Sequence, residues 1–297
     1  MAKARQIVKR RKAVTNIRKI TKTMQLIATA RFQQAYNRAV ATKPYTQKIT
    51  QLVEELSAAT GDEVHHPLLR QNPDAAKDLL LVLTSNRGLC GGYNGNVLRR
   101  AIRHLQDAGD RACECHVVGK KGIAYFKFLG REVRRAITDI DDRPRYEQVE
   151  PIANEYMNRY IAGEFGSVSV AYMRFISTGR QVAEVIKLLP LSRESDAGGA
   201  TSPGPAGTHA QAVQYEFSPL PDELLKVLLP QTVKVRLFQC FTDAAVSEQV
   251  SRMVAMKAAT DAAGDMIKLL SRQFNRARQS QITLELLDIV GGAEALS

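Results

Sequence analysis

Met256, Thr260, Ala263, Ile267, Leu270, Phe274, Ala277, Gln281, Leu284 and Asp288 follow one another in alternating steps of four and three residues, a mean of 3.5. That is the repeat of a coiled-coil seam, slightly shorter than the turn of an isolated helix. From Gln231 to Val290 there is no proline, and Gly264 is the only glycine. The stretch therefore predicts one helix, about 90 Å long at 1.5 Å per residue. A domain built from the rest of the chain has a radius of gyration of only about 13–14 Å. Such a helix must project beyond it, and its seam needs a second helix. Pro230 allows a break or a helix start, and Gln281 and Asp288 thin the seam toward the C-terminus.

The partner is at the other end of the chain. Residues 1–57 read as helix, about 80 Å long by the same rise. Val14, Ile17, Ile20, Met24 and Ile27 give it an apolar stripe at spacings of three and four. Pro44 is expected to kink this helix without ending it. Thirteen Lys and Arg precede the first acidic residue, Glu54, so ion pairs within the helix cannot stabilise it over most of its length. The cations also crowd the N-terminus, where the helix dipole disfavours them. The helix needs anions and a packing partner from outside, and the two terminal helices are expected to pair antiparallel.

Between them the pattern changes. "LLLVLTS" (79–85), "CHVVG" (115–119) and "EVRRAIT" (132–138) read as strands. Helical faces follow around Val97–Leu105, Ile123–Phe128 and Ile152–Tyr160. "SVSVAYMRF" (167–175) and "VAEVIKLLP" (182–190) read as two closing strands, possible as a hairpin. Strands alternating with helices over short connections predict a mainly parallel, Rossmann-like α/β sheet. The expected organisation is an N-terminal coiled-coil helix (1–57), a central α/β domain (76–192), a flexible insertion (193–211) and a C-terminal coiled-coil helix (222–297). The insertion is rich in Gly, Pro, Ser, Thr and Ala.

The formal net charge of +12 and pI of about 9.6 point to a large anionic partner: nucleic acid, a membrane surface or an acidic protein. Cys90, Cys113, Cys115 and Cys240 form no disulfide framework, and no secretory signal is recognisable. A reducing compartment is expected. No run approaches the roughly 18 apolar residues of a membrane span.

Chemistry-bearing motifs are weak. "TSNRGLCGGYNG" (84–95) leaves a strand and enters a helix, where amides could cradle a phosphate. It matches neither the dinucleotide fingerprint nor a P-loop, so a tight strand-to-helix turn is expected. In "CECH" (113–116) two cysteines share a strand face, about 6.6 Å apart. A second ligand pair for a metal is missing, so packed thiols are expected. His65 and His66 read as surface residues. No Ser/His/Asp set or carboxylate pair stands out, so no catalytic, cofactor-binding or metal residue is assigned. Basic-region DNA binders segregate their cations from the seam. Here the cations interleave with the stripe, and aromatics for base stacking are few: Phe32, Tyr36 and Tyr45.

"NIRKITKTMQLIATARFQQA" (16–35), "TSNRGLCGGYNGNVLR" (84–99), "SEQVSRMVAMKAATDAAGDMI" (247–267) and "NRARQSQITLELLDIVGGAEAL" (275–296) resemble the γ subunits of bacterial F-type ATP synthases, in order and in separation. The resemblance implies a non-catalytic rotor shaft without cofactor. The coiled coil would turn inside a hexamer of α and β subunits. The α/β domain would stand against the ε subunit and the membrane-embedded c-ring, peripheral to the cytoplasmic side of the inner membrane. It implies that Met24 approaches the β-subunit lever, and that Arg278 and Gln279 meet a β-subunit catch loop. Thr283 and Glu285 would belong to the same coupling segment. The insertion lacks the regulatory cysteine pair of photosynthetic relatives. Two other readings stand beside this one: a basic coiled-coil nucleic-acid-binding protein, and a nucleotide-binding enzyme with helical arms.

Overall fold

Strands and helices alternate from Lys77 to Leu189, and a single long helix stands at either end of the chain. The computed structural model describes residues 2–60, 66–109, 111–191 and 221–294. His65, the expected insertion at 193–211 and residues 295–297 lie outside them. In chain order the elements are α1 (Ala2–Thr60), β1 (Lys77–Leu83), α2 (Tyr93–Asp107), β2 (Ala112–Val118) and α3 (Lys120–Phe128). There follow β3 (Arg135–Ile137), α4 (Tyr146–Ile161), β4 (Phe165–Ser177), β5 (Arg180–Leu189) and α5 (Pro221–Glu294). Pro44 and Pro230 both lie inside their helices; Pro230 neither starts nor breaks α5.

The residues gather into two compact units. One comprises Met1–Arg31, Leu89–Gly91 and Val250–Ser297; the other comprises Phe32–Gly88 and Gly92–Gln249. Both long helices contribute to both.

In the second unit the strand order is β3-β2-β1-β4-β5. β1 is parallel to β2 and β4, and β2 is parallel to β3. β5 returns antiparallel along β4 as the expected hairpin. β1 is buried on both faces from Leu79 to Leu83, as a central parallel strand covered by helices must be. Leu79, Leu81 and Leu83 pack with Tyr156 and Tyr160 of α4 and with Leu229, Val233 and Leu237 of α5. α2 lies along β1, β4 and β5, and α3 lies along β2.

The first unit is an antiparallel helix pair. Thr21 and Thr260 meet hydroxyl to hydroxyl at 2.8 Å. The direction follows from two further contacts: Arg18 lies beside Gly264, and the Arg11 guanidinium stands 5.5 Å over the Phe274 ring. The α5 seam follows the sequence pattern. Met256, Thr260, Ala263 and Leu270 are buried, and Ile267, Phe274, Ala277 and Gln281 are half-buried. Leu284 departs from it and is 60% exposed. Continued in this register, the start of α1 draws level with α5 near Gln281, so later turns find no cover from α1.

The α1 seam differs more from the expectation. Thr21 and Ala28 are buried, and Ile7, Val14 and Gln25 are half-buried. Of the apolar stripe read from sequence, Val14 belongs to this seam and Met24 is half-buried, whereas Ile17 and Ile27 are exposed and Ile20 is 59% exposed. Spacings of three and four fit several faces of one helix. Pairing with α5 selects the strict heptad Ile7, Val14, Thr21 and Ala28, whose small members let the two backbones approach.

Candidate functional site on the helical pair

The residues singled out by the family resemblance all lie in the helical unit. Met24 is half-buried beside the seam. Arg278, Gln279, Thr283 and Glu285 are exposed on α5. Thr283 donates its hydroxyl to the Gln279 carbonyl one turn back (3.0 Å), and Gln281 donates to the Glu285 carboxylate (2.9 Å). Arg278 and Gln279 flank the half-buried Ala277 and take no part in the seam. Arg278 thus presents a fork of donors to solvent, and Gln279 a donor and an acceptor. The structure brings these four together within two turns of α5; it does not bring Met24 to them.

Around these polar groups the surface is apolar. Ile282, Leu284, Leu286, Leu287, Ile289 and Val290 are all exposed. On the other helix Ile17, Ile20, Leu26 and Ile27 are exposed among cations. Burying one such side chain stabilises an assembly by about 1.5–3 kcal/mol. Contiguous exposed apolar surface of this kind marks a contact with other protein.

The loop after β1 is tied to the start of α3. The Gly122 amide donates to the Thr84 hydroxyl (3.0 Å), the Lys121 amide to the Ser85 carbonyl (3.2 Å) and the Lys120 amide to the Asn86 side chain (3.1 Å). The first-turn donors of α3 are thereby used. The Ser85 amide donates to Asn94 (3.0 Å), and Asn86 ties down Thr138, Ile140 and Asp141. "TSN" is a staple joining three loops at one sheet edge. Further along, Gly91 has φ +55°, and a Cβ there would stand 3.5 Å from Ala255 of α5.

In "CECH" all four cysteines of the chain are free thiols, Cys113 and Cys115 among them. The shared hydrogen bond with Cys115, then burial, push the Cys113 thiol up. His116, 1% exposed, faces the opposite side of the strand. Its Nε2 lies 2.9 Å from Glu114 Oε1 and its Nδ1 2.9 Å from the Tyr156 hydroxyl. A carboxylate only accepts, so Nε2 carries the proton and Nδ1 accepts from Tyr156. Burial lowers the His116 pKa against the pull of Glu114. Glu114 also holds Arg159 through two bonds (3.0 and 3.2 Å), and Arg159 reaches Glu164 (2.8 Å). Burial opposes ionisation of Glu114, but its bonds to Arg159 and His116 win and lower its pKa. This network closes on itself and holds α4 to β2. The sequence carried no signal for it, because Tyr156 and Arg159 meet His116 only through the fold.

Two long terminal helices, paired in one unit and flanking a Rossmann-like, mainly parallel sheet in the other, define the fold class of this chain. The family model that matches residues 3–296 is described as ATP synthase. The ATP synthase gamma chain of Rhodopirellula baltica is 48% identical over 298 residues, covering 100% of this chain and 99% of that one. The gamma chain of Leptospira biflexa is 40% identical with full coverage of both. This chain belongs to the ATP synthase gamma chain family. A chain in the rotor of the Euglena gracilis mitochondrial ATP synthase shares the fold, with a TM-score of 0.64 at 19% identity over 95% of this chain and 99% of that one. A chain of the Tetrahymena thermophila central stalk and c-ring gives 0.59 at 18% identity, covering 81% of this chain and 99% of that one.

Proposed function

We infer that this chain is the central rotor shaft of an ATP synthase. It couples proton-driven rotation of the c-ring to conformational cycling of the β-subunit catalytic sites and holds no active site itself. The observation that carries this is the end of α5. From Leu284 onward its apolar side chains are exposed, beyond the cover of α1, and an enclosing α/β hexamer supplies the missing surface. The cations of α1 find their anions on the same surrounding subunits. Arg278, Gln279, Thr283 and Glu285 form the coupling contact to a β-subunit loop, and Met24 faces the β lever. A turning shaft has to grip and release, and exposed polar contacts suit this better than a dry interface. The α/β unit meets the ε subunit and the c-ring, peripheral to the cytoplasmic face of the bacterial inner membrane. Among the described residues no helix is long and apolar enough to cross a membrane.

Reconstitution with α and β subunits tests the reading. A bead coupled through Arg99→Cys on α2 is expected to turn when ATP is added. Replacing Ile17 and Ile20 by Ser should weaken hexamer binding at least about tenfold while the free chain keeps its melting temperature. A bound hexamer that hydrolyses ATP without turning the bead would remove the shaft assignment.

A further inference from the structure

The helix α3 lies in the α/β unit, away in the chain from every residue assigned to coupling. Its inner face is set flush on the sheet. Phe126 is fully buried, and a Cβ on Gly122 would stand 2.7 Å from Val117 Cγ1, so only glycine permits this approach. Phe128, two residues beyond Phe126 and thus about 200° round the helix, points the other way and is 83% exposed. Tyr125, one turn before it, and Leu129, the C-cap residue directly after it, are also exposed. The fold gains nothing from a phenylalanine there. Along α3 and the segment after it Lys120, Lys121, Lys127, Arg131 and Arg134 are exposed, against the exposed carboxylates Glu132, Asp139 and Asp141, the last joined through Asn86 to the first turn of α3.

We propose that this outward face of α3 is a docking site for a protein partner that offers an apolar socket edged by carboxylates. The charge of the patch selects the rim, and Phe128 supplies the anchor, since aromatic side chains entering desolvated pockets dominate interface energies. The staple from Thr84, Ser85 and Asn86 to the first turn of α3 holds the anchor rigid before binding, which lowers the ordering cost of association. A lipid surface fits less well. Interfacial helices carry an apolar face over many turns, whereas α3 has nine residues and one face already committed to the sheet.

The inference rests on the rotor reading only in that the partner is sought in the assembled enzyme. A photoreactive p-benzoylphenylalanine at Phe128, in the complete ATP synthase isolated from membranes, is expected to cross-link to an Asp/Glu-rich segment of another subunit, with the same residue at Arg99 as control. Phe128→Glu combined with Lys127→Glu should lower recovery of that subunit at least tenfold, while the chain keeps its melting temperature. Retained ATP hydrolysis and hexamer recovery in this variant separate failure of the patch from failure of the rotor assignment. The proposal is overturned if illumination yields only lipid adducts or no adduct. It is equally overturned if the charge-reversed variant keeps every subunit. Binding of the free chain to vesicles of one part phosphatidylglycerol to three parts phosphatidylcholine, lost on Phe128→Glu without any protein adduct, would assign the face to lipid.

Discussion

The two units use hydrophobic residues in opposite ways. The α/β unit buries its largest side chains, Tyr156, Tyr160, Phe126 and Phe165 among them. The helical unit buries Thr21, Ala28, Thr260 and Ala263 and leaves Ile17, Ile20, Leu26, Leu286 and Leu287 exposed. Charges follow the same division. In the α/β unit Arg159, Arg135, Lys234 and Arg111 reach Glu114, Glu155, Glu150 and Asp78. In the helical unit the Lys268–Asp265 pair is almost wholly solvent-exposed, where ion pairs contribute little. One unit, the outward face of α3 apart, pairs most of its large side chains and charges within the chain. The other keeps much of its apolar surface for neighbours. A seam of small residues suffices to hold two helices together while the bulky side chains remain available.

Glycine substitution gives the widest contrast. Gly119 has φ +94°, and a Cβ there would overlap the Thr84 carbonyl. Gly119→Ala is expected to cost about 3–5 kcal/mol in urea unfolding of the α/β unit. A loss under about 1 kcal/mol would show that the sheet edge yields and that this unit is less tightly determined than described.

The proposed coupling surface should respond in turnover and not in stability. Arg278→Ala with Gln279→Ala leaves the seam intact, and alanine favours helix. Losing about 1–3 kcal/mol of charge-assisted hydrogen bonding from one rotor dwell corresponds to roughly a 5- to 150-fold slower ATP turnover in a fully assembled complex. Normal turnover after assembly would leave these side chains as mere solvation of the helix. Failure to assemble would place them in a structural contact.

Acid should act mainly on the α/β unit. The folded pKa of His116 lies below its ordinary 6.5, so below that pH the unfolded chain binds the extra proton. Stability from this group is complete above about pH 6.5 and falls as pH drops toward the folded pKa, by no more than about 1.4 kcal/mol per pH unit. Glu114, held below its ordinary value, adds its own loss only in stronger acid. His116→Gln should flatten the melting temperature profile between pH 7 and 5. His66 and His104 are shifted down as well, so part of the slope remains. An unchanged profile would mean that the His116 pKa is not lowered on folding.

The smallest effect has the opposite sign from the first. Gly264 lies in mid-helix, and a Cβ there would meet only Arg18 atoms at 3.8 and 3.9 Å. Gly264→Ala should therefore raise stability by roughly 0.5–1 kcal/mol. A destabilisation would reveal tighter helix approach than these contacts describe.

The α5 seam from Met256 to Gln281, the strand–helix alternation and the closing hairpin were legible in the sequence, because periodicity reports directly which face of an element is covered. The family motifs picked out Arg278 and Gln279 without any geometry. What the sequence left undecided was the choice among faces that local pattern allows equally. The Ile17–Ile27 stripe outscored Thr21 and Ala28 in hydrophobicity, yet the strict heptad against α5 put the small residues inside. Leu284 continued the α5 repeat, but α1 does not reach it. His116, Tyr156 and Arg159 were scattered over the sequence and became a single network only when β2 and α4 packed together. Local periodicity is a property of one element; which of its faces meets another element depends on that partner's length, register and side-chain size, and only the tertiary structure supplies these.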